Sequence, residues 1–530
     1  MKGLVSLIAG VFCFFALTVQ SQAVDFKVKG AWHFAFDYVN GGNFMNKNRA
    51  GQTVNGQQWS SMHQPRDSFE AYNRMHWQLD AVASENLSGT VFFEIGEQRW
   101  GMANQGGALG ADGTSSVKVK QAYLDWRIPN APLKLRMGLQ GMKLPGFALD
   151  SPVFQDDVAG IAASWKFSPA VAATAIWMRP ANDNWGGDSS HASNYMDNFD
   201  LGALVVPVTL DGLKITPWGM AGSMGPNTIK PIGTAKRPDG SYNFSPTNLT
   251  ANTQRIDGMQ LANGLFPATF TSGRRGSSVL SQEYSSMYWG GLTWEWTSLE
   301  PFSLKGDFIY GAVDHGREYL NRSGWFSMLL AEYAFDWGVP GIYGWYFSGD
   351  DNNPHNGSER LPYIATTNNA SNSLSSFGYR GSVLYAGGKG VLGTNPSGTW
   401  GVGTRLKDIS FVDDLSHIIR LNYFGGTNDT KMASYITGRQ TTDNSGRAVY
   451  RNMTDFNAPL GTYVTTSDTG LELNLDSTYK AAENLNFVLE LGYIHLWLDK
   501  DVWGSYQKIS GDSLNCKDAW KATLNITYSF

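Results

Sequence analysis

The 530-residue sequence predicts an all-β protein, a transmembrane antiparallel β-barrel of about 18 strands. Hydrophobic and polar side chains alternate with a period of two through segments of about nine to fifteen residues, a pattern typical of strands with two different faces. Very short connections alternate with long ones, as in outer-membrane barrels. Beyond residue 23, no apolar run approaches the roughly 18 residues that a membrane-spanning helix needs. Sixteen strands are the alternative count.

The predicted strands follow the alternation. Trp520, Leu524 and Phe530 share one face of the last segment, while Lys521 and Asn525 lie on the other. A soluble sandwich would show the same alternation in one strand, but it would not sort its loops by length. The predicted segments are 25–39, 69–83, 89–98, 117–128, 133–141, 158–167, 170–179, 199–209, 213–222, 286–297, 301–312, 323–335, 339–349, 399–411, 416–425, 468–480, 485–497 and 518–530.

Composition excludes several classes of protein. Charged residues make up 16% of the chain, against about 25% in ordinary soluble proteins, and aromatic residues make up 13%. The formal net charge of −5 argues against a nucleic-acid partner, which would require a basic surface. The sequence offers no metal-ligand spacing and no cofactor motif in a suitable context, so we expect neither a metal nor a cofactor.

The N-terminal segment resembles an export signal. Lys2 precedes the apolar run Leu4–Leu17, and Ser21-Gln22-Ala23 has the small-x-small pattern of a cleavage site. We therefore expect residues 1–23 to be a cleaved signal peptide and residues 24–530 to form one barrel domain. The alternative, a membrane anchor, is disfavoured by the short apolar run. Only Cys516 would remain after cleavage, so the fold must hold together without a disulfide.

Alternation also predicts which side chains face the lumen of the barrel. If the aromatic and aliphatic face contacts lipid, the charged face lines the pore, since Lys or Arg at the lipid midplane costs about 2–4 kcal/mol. Both signs of charge occur on this inward face, which predicts at most mild charge selectivity. The predicted pore-lining residues are His76, Glu94, Asp125, Arg127, Asp307, Glu332, Arg420 and Glu490.

Several stretches resemble a known family. Ile526-Thr527-Tyr528-Ser529-Phe530 resembles the C-terminal signature of Gram-negative outer-membrane barrels, and the strand–loop order resembles the general porins. Residues 151–160, 205–220 and 344–351 are similar to the homotrimeric porins of sulfate-reducing bacteria. The resemblance implies a bacterial outer-membrane homotrimer surrounded by lipid and lipopolysaccharide, which the barrel-assembly machinery recognises through Phe530. It further implies passive diffusion of ions and small hydrophilic solutes.

The same resemblance implies a pore constriction. General porins narrow the pore with their third long loop, which here is 142–157 and carries Asp150, Asp156 and Asp157. Opposite charges across a narrow gap would orient passing dipolar solutes. The alternative is that these are solvated loop acids and ordinary wall charges. The bases expected to oppose the loop acids are Arg74, Arg136 and Lys166.

Other functions remain open. A substrate-selective channel for a sugar or an organic acid would suit 18 strands and the many aromatic residues. An adhesin would use the long polar loops, and an outer-membrane enzyme would need a nucleophile beside a base such as His76, His417 or His495. The sequence singles out no serine beside these histidines, so we expect no enzymatic activity.

Overall fold

The protein is described by a computed structural model. The residues that it describes are 24–40, 53–54, 57–58, 68–103, 106–110, 117–181, 198–225, 229–231, 249–251, 264–268, 284–364, 375, 396–436, 440–442, 448–450, 463–499, 502 and 518–530. The expected signal peptide, residues 1–23, lies outside this range.

Eighteen antiparallel strands form one closed barrel, which confirms the predicted fold class and excludes the count of sixteen. The strands are β1 Asp25–Asn40, β2 Ser68–Ser84, β3 Leu87–Arg99, β4 Val117–Arg127, β5 Leu133–Lys143, β6 Gln155–Lys166, β7 Ala172–Ala181, β8 Phe199–Val205 continued by Val208–Leu210, β9 Leu213–Met224, β10 Ser285–Trp296, β11 Phe302–Asp314, β12 Arg322–Tyr333, β13 Val339–Phe347, β14 Thr399–Val412, β15 Leu415–Gly426, β16 Thr469–Ala482, β17 Leu485–Trp497 and β18 Ala519–Ser529.

The barrel closes between its first and last strands. Ala31 of β1 pairs with Ser529 of β18, and the register continues to Asn40 and Trp520. Beyond β18, Phe530 exchanges two backbone hydrogen bonds with Gly30, at 2.9 and 3.0 Å. A side chain at Gly30 would overlap both the Phe530 ring and a β2 carbonyl, so this close approach requires glycine.

Connections are sorted by length between the two ends of the barrel. Eight short turns lie at one end, which we call the turn end: 85–86, 128–132, 167–171, 211–212, 297–301, 334–338, 413–414 and 483–484. The other connections lie at the opposite end, which we call the loop end. The predicted sorting of short turns from longer loops is therefore confirmed.

The two faces of each strand differ in exposure. On β11, Phe302, Phe308 and Tyr310 point outward and are 41–51% exposed, whereas Asp307 and Ile309 point inward and are buried. A continuous outer surface of large apolar side chains is unfavourable in water and favourable in lipid. The outer face is thus suited to a hydrocarbon environment.

Helical structure within the described residues lies in connections at the loop end. A 3₁₀ helix spans Glu318–Leu320, and an α-helix, α1, spans Thr430–Ile436. No helix in the described part of the chain is long and apolar enough to cross a membrane. Three additional pairs of short strands lie outside the barrel sheet: Thr53–Val54 with Gln57–Gln58, Ile229–Pro231 with Leu249–Ala251, and Gln440–Thr442 with Ala448–Tyr450.

One predicted boundary needs correction. The hairpin of β5 and β6 extends further toward the loop end than expected, because Met142 pairs with Asp156 and Gly141 pairs with Asp157. The unpaired connection is therefore 144–154 rather than 142–157. Asp156 and Asp157 lie in a strand, and only Asp150 of the three predicted loop acids lies in the loop itself.

Candidate pore constriction and lumen

Connection 144–154 reaches across the interior to β11. The carboxylate of Asp307 accepts backbone N–H groups from Phe147, Ala148 and Leu149 at 2.8–2.9 Å, and it also accepts the Thr293 hydroxyl of β10. Hydrogen bonds to an ionised acceptor are roughly twice as strong as neutral ones. Asp307 therefore fixes the loop to a wall five strands from β6, the strand that follows the loop. Predicted as a pore-lining charge, it is instead 4% exposed beneath that loop.

A second loop segment, 358–364, is held inside the barrel by Arg322 of β12. The guanidinium donates to the carbonyls of Arg360, Leu361 and Phe266 at 3.0, 2.8 and 3.2 Å. It also lies over the Tyr363 ring at 5.3 Å. Because burying an unsatisfied carbonyl is costly, this one side chain stabilises two loop segments at once.

His315 holds the third segment, 264–268. Its ring stacks on Phe266 with centroids 3.9 Å apart, and its Nε2 lies 3.1 Å from the Leu265 carbonyl. A carbonyl can only accept, so Nε2 carries the proton and Nδ1 accepts from Ser285 Oγ at 2.6 Å. Burial lowers the pKa of His315 to about 4, which keeps the imidazole neutral in this role.

The three segments contact one another and an apolar inner wall. Ile364 N–H donates to the Val153 carbonyl at 2.8 Å, and Tyr363 N–H donates to the Gly264 carbonyl at 3.0 Å. Trp289 of β10 donates its indole N–H to the Pro362 carbonyl at 2.8 Å. One side of the interior is therefore filled with packed side chains. The inward-facing apolar side chains of this wall include Trp218, Met220, Met287, Trp289, Phe326, Met328, Leu330, Tyr343, Trp345 and Phe347.

A different wall, on β2 to β4, is charged. Glu94 of β3 lies 3.1 Å from His76 Nε2 and 3.7 Å from Arg74 Nη1, both on β2. Two lysines of β4, Lys118 and Lys120, approach it at 3.4 and 3.5 Å. The structure thus brings three predicted residues, Arg74, His76 and Glu94, into one cluster. The Glu94 carboxylate itself is covered by its partners and is 5% exposed.

Next to this cluster, Asp125 and Arg136 form a two-point ion pair across β4 and β5. Arg136 Nε and Nη2 each donate to Asp125 at 2.7 Å, and Lys134 approaches the same carboxylate at 3.2 Å. The guanidinium of Arg136 lies 4.1 Å from the Tyr123 ring centroid. Arg127, also predicted to line the pore, is the last residue of β4 and lies exposed at the turn end.

Inward polar groups on β15 to β18 form a buried network. Arg420 donates to Asp476 at 2.6 Å, Asn474 donates to Glu472 at 2.6 Å, and Lys521 pairs with Glu490. Glu490 is 2% exposed, so the predicted pore-lining carboxylate is covered. The predicted Glu332 of β12 is likewise 4% exposed and pairs with Arg405 and Lys407 at 2.6 and 3.0 Å.

The predicted constriction residues do not all lie at the same height. Asp150 pairs with Lys143, and Asp157 accepts from Gln121 at 2.7 Å. Asp156 accepts the Asp157 N–H at 2.7 Å. Lys166 ends β6 at the turn end, nine residues from Asp157, which is roughly 30 Å along the strand. The prediction that Lys166 lies opposite the loop acids is therefore wrong. Residue alternation predicts which face of a strand a side chain lies on, but it does not predict the position of that side chain along the barrel axis.

Several functional side chains were not predicted. The inward segments are held by four such residues, Trp289, Thr293, His315 and Arg322. The alternation of residue types also did not predict that segments 264–268 and 358–364 lie inside the barrel. One sequence signal could have found this wall. Strand β10 carries large apolar residues on both faces, as in Met287, Tyr288 and Trp289. A strand that is apolar on both faces indicates that both faces are covered.

The histidines considered for catalysis lie in separate places. Besides His76, His417 Nδ1 lies 2.8 Å from Ser477 Oγ, and His495 contacts Asp518. Among the described residues, no acid hydrogen-bonds the other ring nitrogen of His417, and such a group is needed to position an imidazole base. The described part of the chain also contains no group of three or more His, Cys, Asp or Glu that could hold a metal ion.

Comparison with known proteins gives similar folds at very low sequence identity. No family model and no curated protein matches this chain. Crystal structures from Pseudomonas aeruginosa include OpdK with vanillate (8% identity, TM-score 0.48, covering 96% of this chain and 98% of that chain) and OprD (9%, 0.47, 96% and 97%). OccD3 is similar at 11% identity and TM-score 0.47, covering 95% and 91%. Similarity of this degree carries no argument about function.

Proposed function

We propose that this chain is a bacterial outer-membrane porin that forms a water-filled channel for small hydrophilic solutes and ions. One observation carries the proposal: a closed 18-strand barrel with an apolar outer face holds a loop, 144–154, fixed across its interior by Asp307. A barrel that served only as an anchor would not need charged groups along its inner wall. The charged clusters around Glu94 and Asp125 provide a hydrated path beside the packed loops.

Passage requires no covalent chemistry in this proposal. Solutes move down their gradients, and size is limited by the three inward segments 144–154, 264–268 and 358–364. Charge acts through the wall clusters, because fields inside a low-dielectric wall are focused into the aqueous path. Of the three predicted constriction acids, Asp150, Asp156 and Asp157, only Asp150 lies in the loop itself, where it pairs with the partly exposed Lys143.

The same proposal specifies the lipids and proteins that the barrel would contact. Lipid and lipopolysaccharide would contact the outer aromatic face, and the assembly machinery would read the terminal Phe530, whose side chain is 42% exposed at the β1–β18 seam. A homotrimer stays part of the proposal, supported by the family resemblance described above. The turn end would face the periplasm, because short turns lie on that side of outer-membrane barrels.

A substrate-selective channel is the second candidate. The observation that favours it is the filling of one side of the lumen by three segments rather than one. A narrow path lined on one side by charged clusters would discriminate between solutes more strongly than an open pore. The general and the selective channel share the architecture and differ in how solutes compete with ions.

Planar bilayer recording of the refolded protein separates these candidates. We expect ohmic current steps, grouped in threes if the trimer is correct. Steps unaffected by a panel of sugars and organic acids would support a general porin, and block by one solute class would support a selective channel. Silence from protein that shows the heat-modifiable gel mobility of a folded barrel would contradict the channel function.

A further inference from the structure

Three clusters on the inner wall share one composition, two bases around one carboxylate. Each cluster joins neighbouring strands, and all six base-to-acid distances lie between 2.6 and 3.3 Å. At neutral pH each cluster therefore carries a net charge of +1, from two positive charges and one negative. The clusters are Lys134 and Arg136 with Asp125, Lys214 and Lys305 with Glu295, and Arg405 and Lys407 with Glu332.

Strand positions place the three clusters near the same end of the barrel. Lys134 and Lys214 are the second residues of β5 and β9, and Lys305 is the fourth residue of β11. Lys407 of β14 pairs with Val339, the first residue of β13. All four strand positions lie near the turn end. We call the set of three clusters the basic belt.

The belt residues face the lumen. On β11, Lys305 has the same inward parity as Asp307, and on β12, Glu332 has the same parity as the buried Phe326. Arg127 and Lys166 lie at the same end on inward positions and add positive charge. Charged residues of both signs face the lumen, but they are not evenly distributed along the barrel axis. Bases are in excess near the turn end.

Acids do occur below the belt, in the turns themselves. Their side chains are exposed outside the lumen, where salt screens a charge over about 10 Å at 0.1 M ionic strength. Charges on the wall of a narrow path are screened less and focus the field inside it. The belt therefore dominates the potential that a permeating ion meets. The turn acids are Glu85, Asp211, Glu300, Asp336, Asp413, Asp414 and Glu483.

We infer that the basic belt is a recognition site for small oxyanions at the turn end of the lumen, which makes the channel anion-preferring. The side chains of Lys134, Lys214 and Lys407 are 40%, 55% and 28% exposed, so each cluster offers an ammonium group to the charged oxygens of a sulfate, phosphate or carboxylate. This inference rests on the proposed channel function and specifies its solute class. It replaces the sequence-based expectation of at most mild charge selectivity.

Reversal potentials in a KCl gradient test the belt. We expect the wild-type protein to prefer chloride over potassium, and sulfate added to the chamber at the turn end to reduce the chloride current. The triple variant Lys134→Gln, Lys305→Gln, Lys407→Gln removes one charge from each cluster. Each lost charge should lower the chloride-to-potassium permeability ratio by about twofold, since local potentials of this kind are on the order of kT.

Two further variants make the test specific. Asp125→Asn with Glu295→Gln should raise the same ratio and strengthen the sulfate effect. Arg317→Gln removes an exposed base from a loop-end connection, outside the belt, and should leave the ratio unchanged. Folding of every variant is checked by heat-modifiable gel mobility before recording.

The possible outcomes separate the two claims. The belt is supported if the chloride-to-potassium permeability ratio falls in the triple lysine variant and rises in the variant that combines Asp125→Asn with Glu295→Gln. A conducting pore without anion preference, or with the same ratio in the triple variant, overturns the belt and leaves the channel function intact. A correctly folded wild-type barrel that passes no current overturns the channel function and the belt with it.

Discussion

Two inner walls of this barrel differ sharply. On β9 to β13, most inward positions beyond the charged groups near the turn end are apolar and packed, as with Trp289, which is 2% exposed and bonded to the Pro362 carbonyl. On β2 to β5, inward positions are charged, and Lys134 keeps 40% of its side chain exposed beside Asp125. Inward parity therefore does not mean contact with water. Whether an inward side chain is polar depends on whether a loop covers it.

The difference predicts where the barrel is sensitive to substitution. A substitution at a packed position that holds a loop removes several interactions at once. A substitution at a charged position removes one ion pair, and water partly replaces that interaction. Substitutions at packed and at charged positions therefore test this difference.

Arg322→Met should have the largest effect on stability. The buried guanidinium satisfies three loop carbonyls, and Met fills the volume without donating, so we expect a loss of about 3 kcal/mol or more in the free energy of unfolding. Urea unfolding in detergent micelles measures the loss. The exposed Arg317→Met is the control and should change stability by less than about 0.5 kcal/mol. Equal losses in both variants would contradict the role of Arg322 as a clamp.

Asp307→Asn should release the constriction loop. An amide offers one acceptor oxygen and no charge to the three N–H groups of 147–149, so we expect a loss of about 2 kcal/mol. Single-channel conductance should rise, because loop 144–154 leaves the interior. Asp314→Asn, on the same strand but exposed, is the matched control and should leave conductance unchanged. Unchanged conductance in a folded Asp307→Asn protein would show that the loop does not limit the pore.

His315 should make the packed wall sensitive to acid. Its pKa of about 4 in the folded protein lies below the ordinary histidine pKa of 6.5, so the unfolded state binds more protons between these values. Stability contributed by the neutral imidazole is fully present above pH 6.5 and falls as pH drops toward 4. Limited proteolysis across this range measures the opening of 264–268. His315→Gln should reduce the dependence on pH, whereas the exposed His355→Gln should keep it; an unchanged profile in His315→Gln would contradict the assignment.

Arg420→Gln should be the mildest of these changes to the fold. Its pair with Asp476 belongs to the wall network, and the amide can keep a hydrogen bond to the carboxylate. We expect a loss of about 1 kcal/mol, less than for Arg322→Met, measured in the same unfolding experiment. Asp476→Asn is its reciprocal control and should give a similar loss. A cost equal to that of Arg322→Met would contradict the expected difference between packed positions and ion-paired positions.

Much of the fold could be predicted from the sequence. Alternation located all 18 strands, and loop lengths separated the two ends, because a closed barrel repeats one hairpin with one face in lipid. The site was predicted less well. Arg74, His76 and Glu94 do meet, since neighbouring strands bring same-face residues together, whereas Lys166 lies a strand length from the loop that it was expected to oppose.

The alternation of residue types is enough to predict the barrel, its strand number and the face on which each charge lies, because these depend on a local period of two. The folded chain alone reveals that Asp307 holds a loop, that Arg322 and His315 hold two more, and that bases are in excess near the turn end. The height of a side chain and what covers it depend on strand register and on loops that return from distant positions. No local pattern contains that information, because these contacts depend on where the long connections return to the wall and on the register of paired strands.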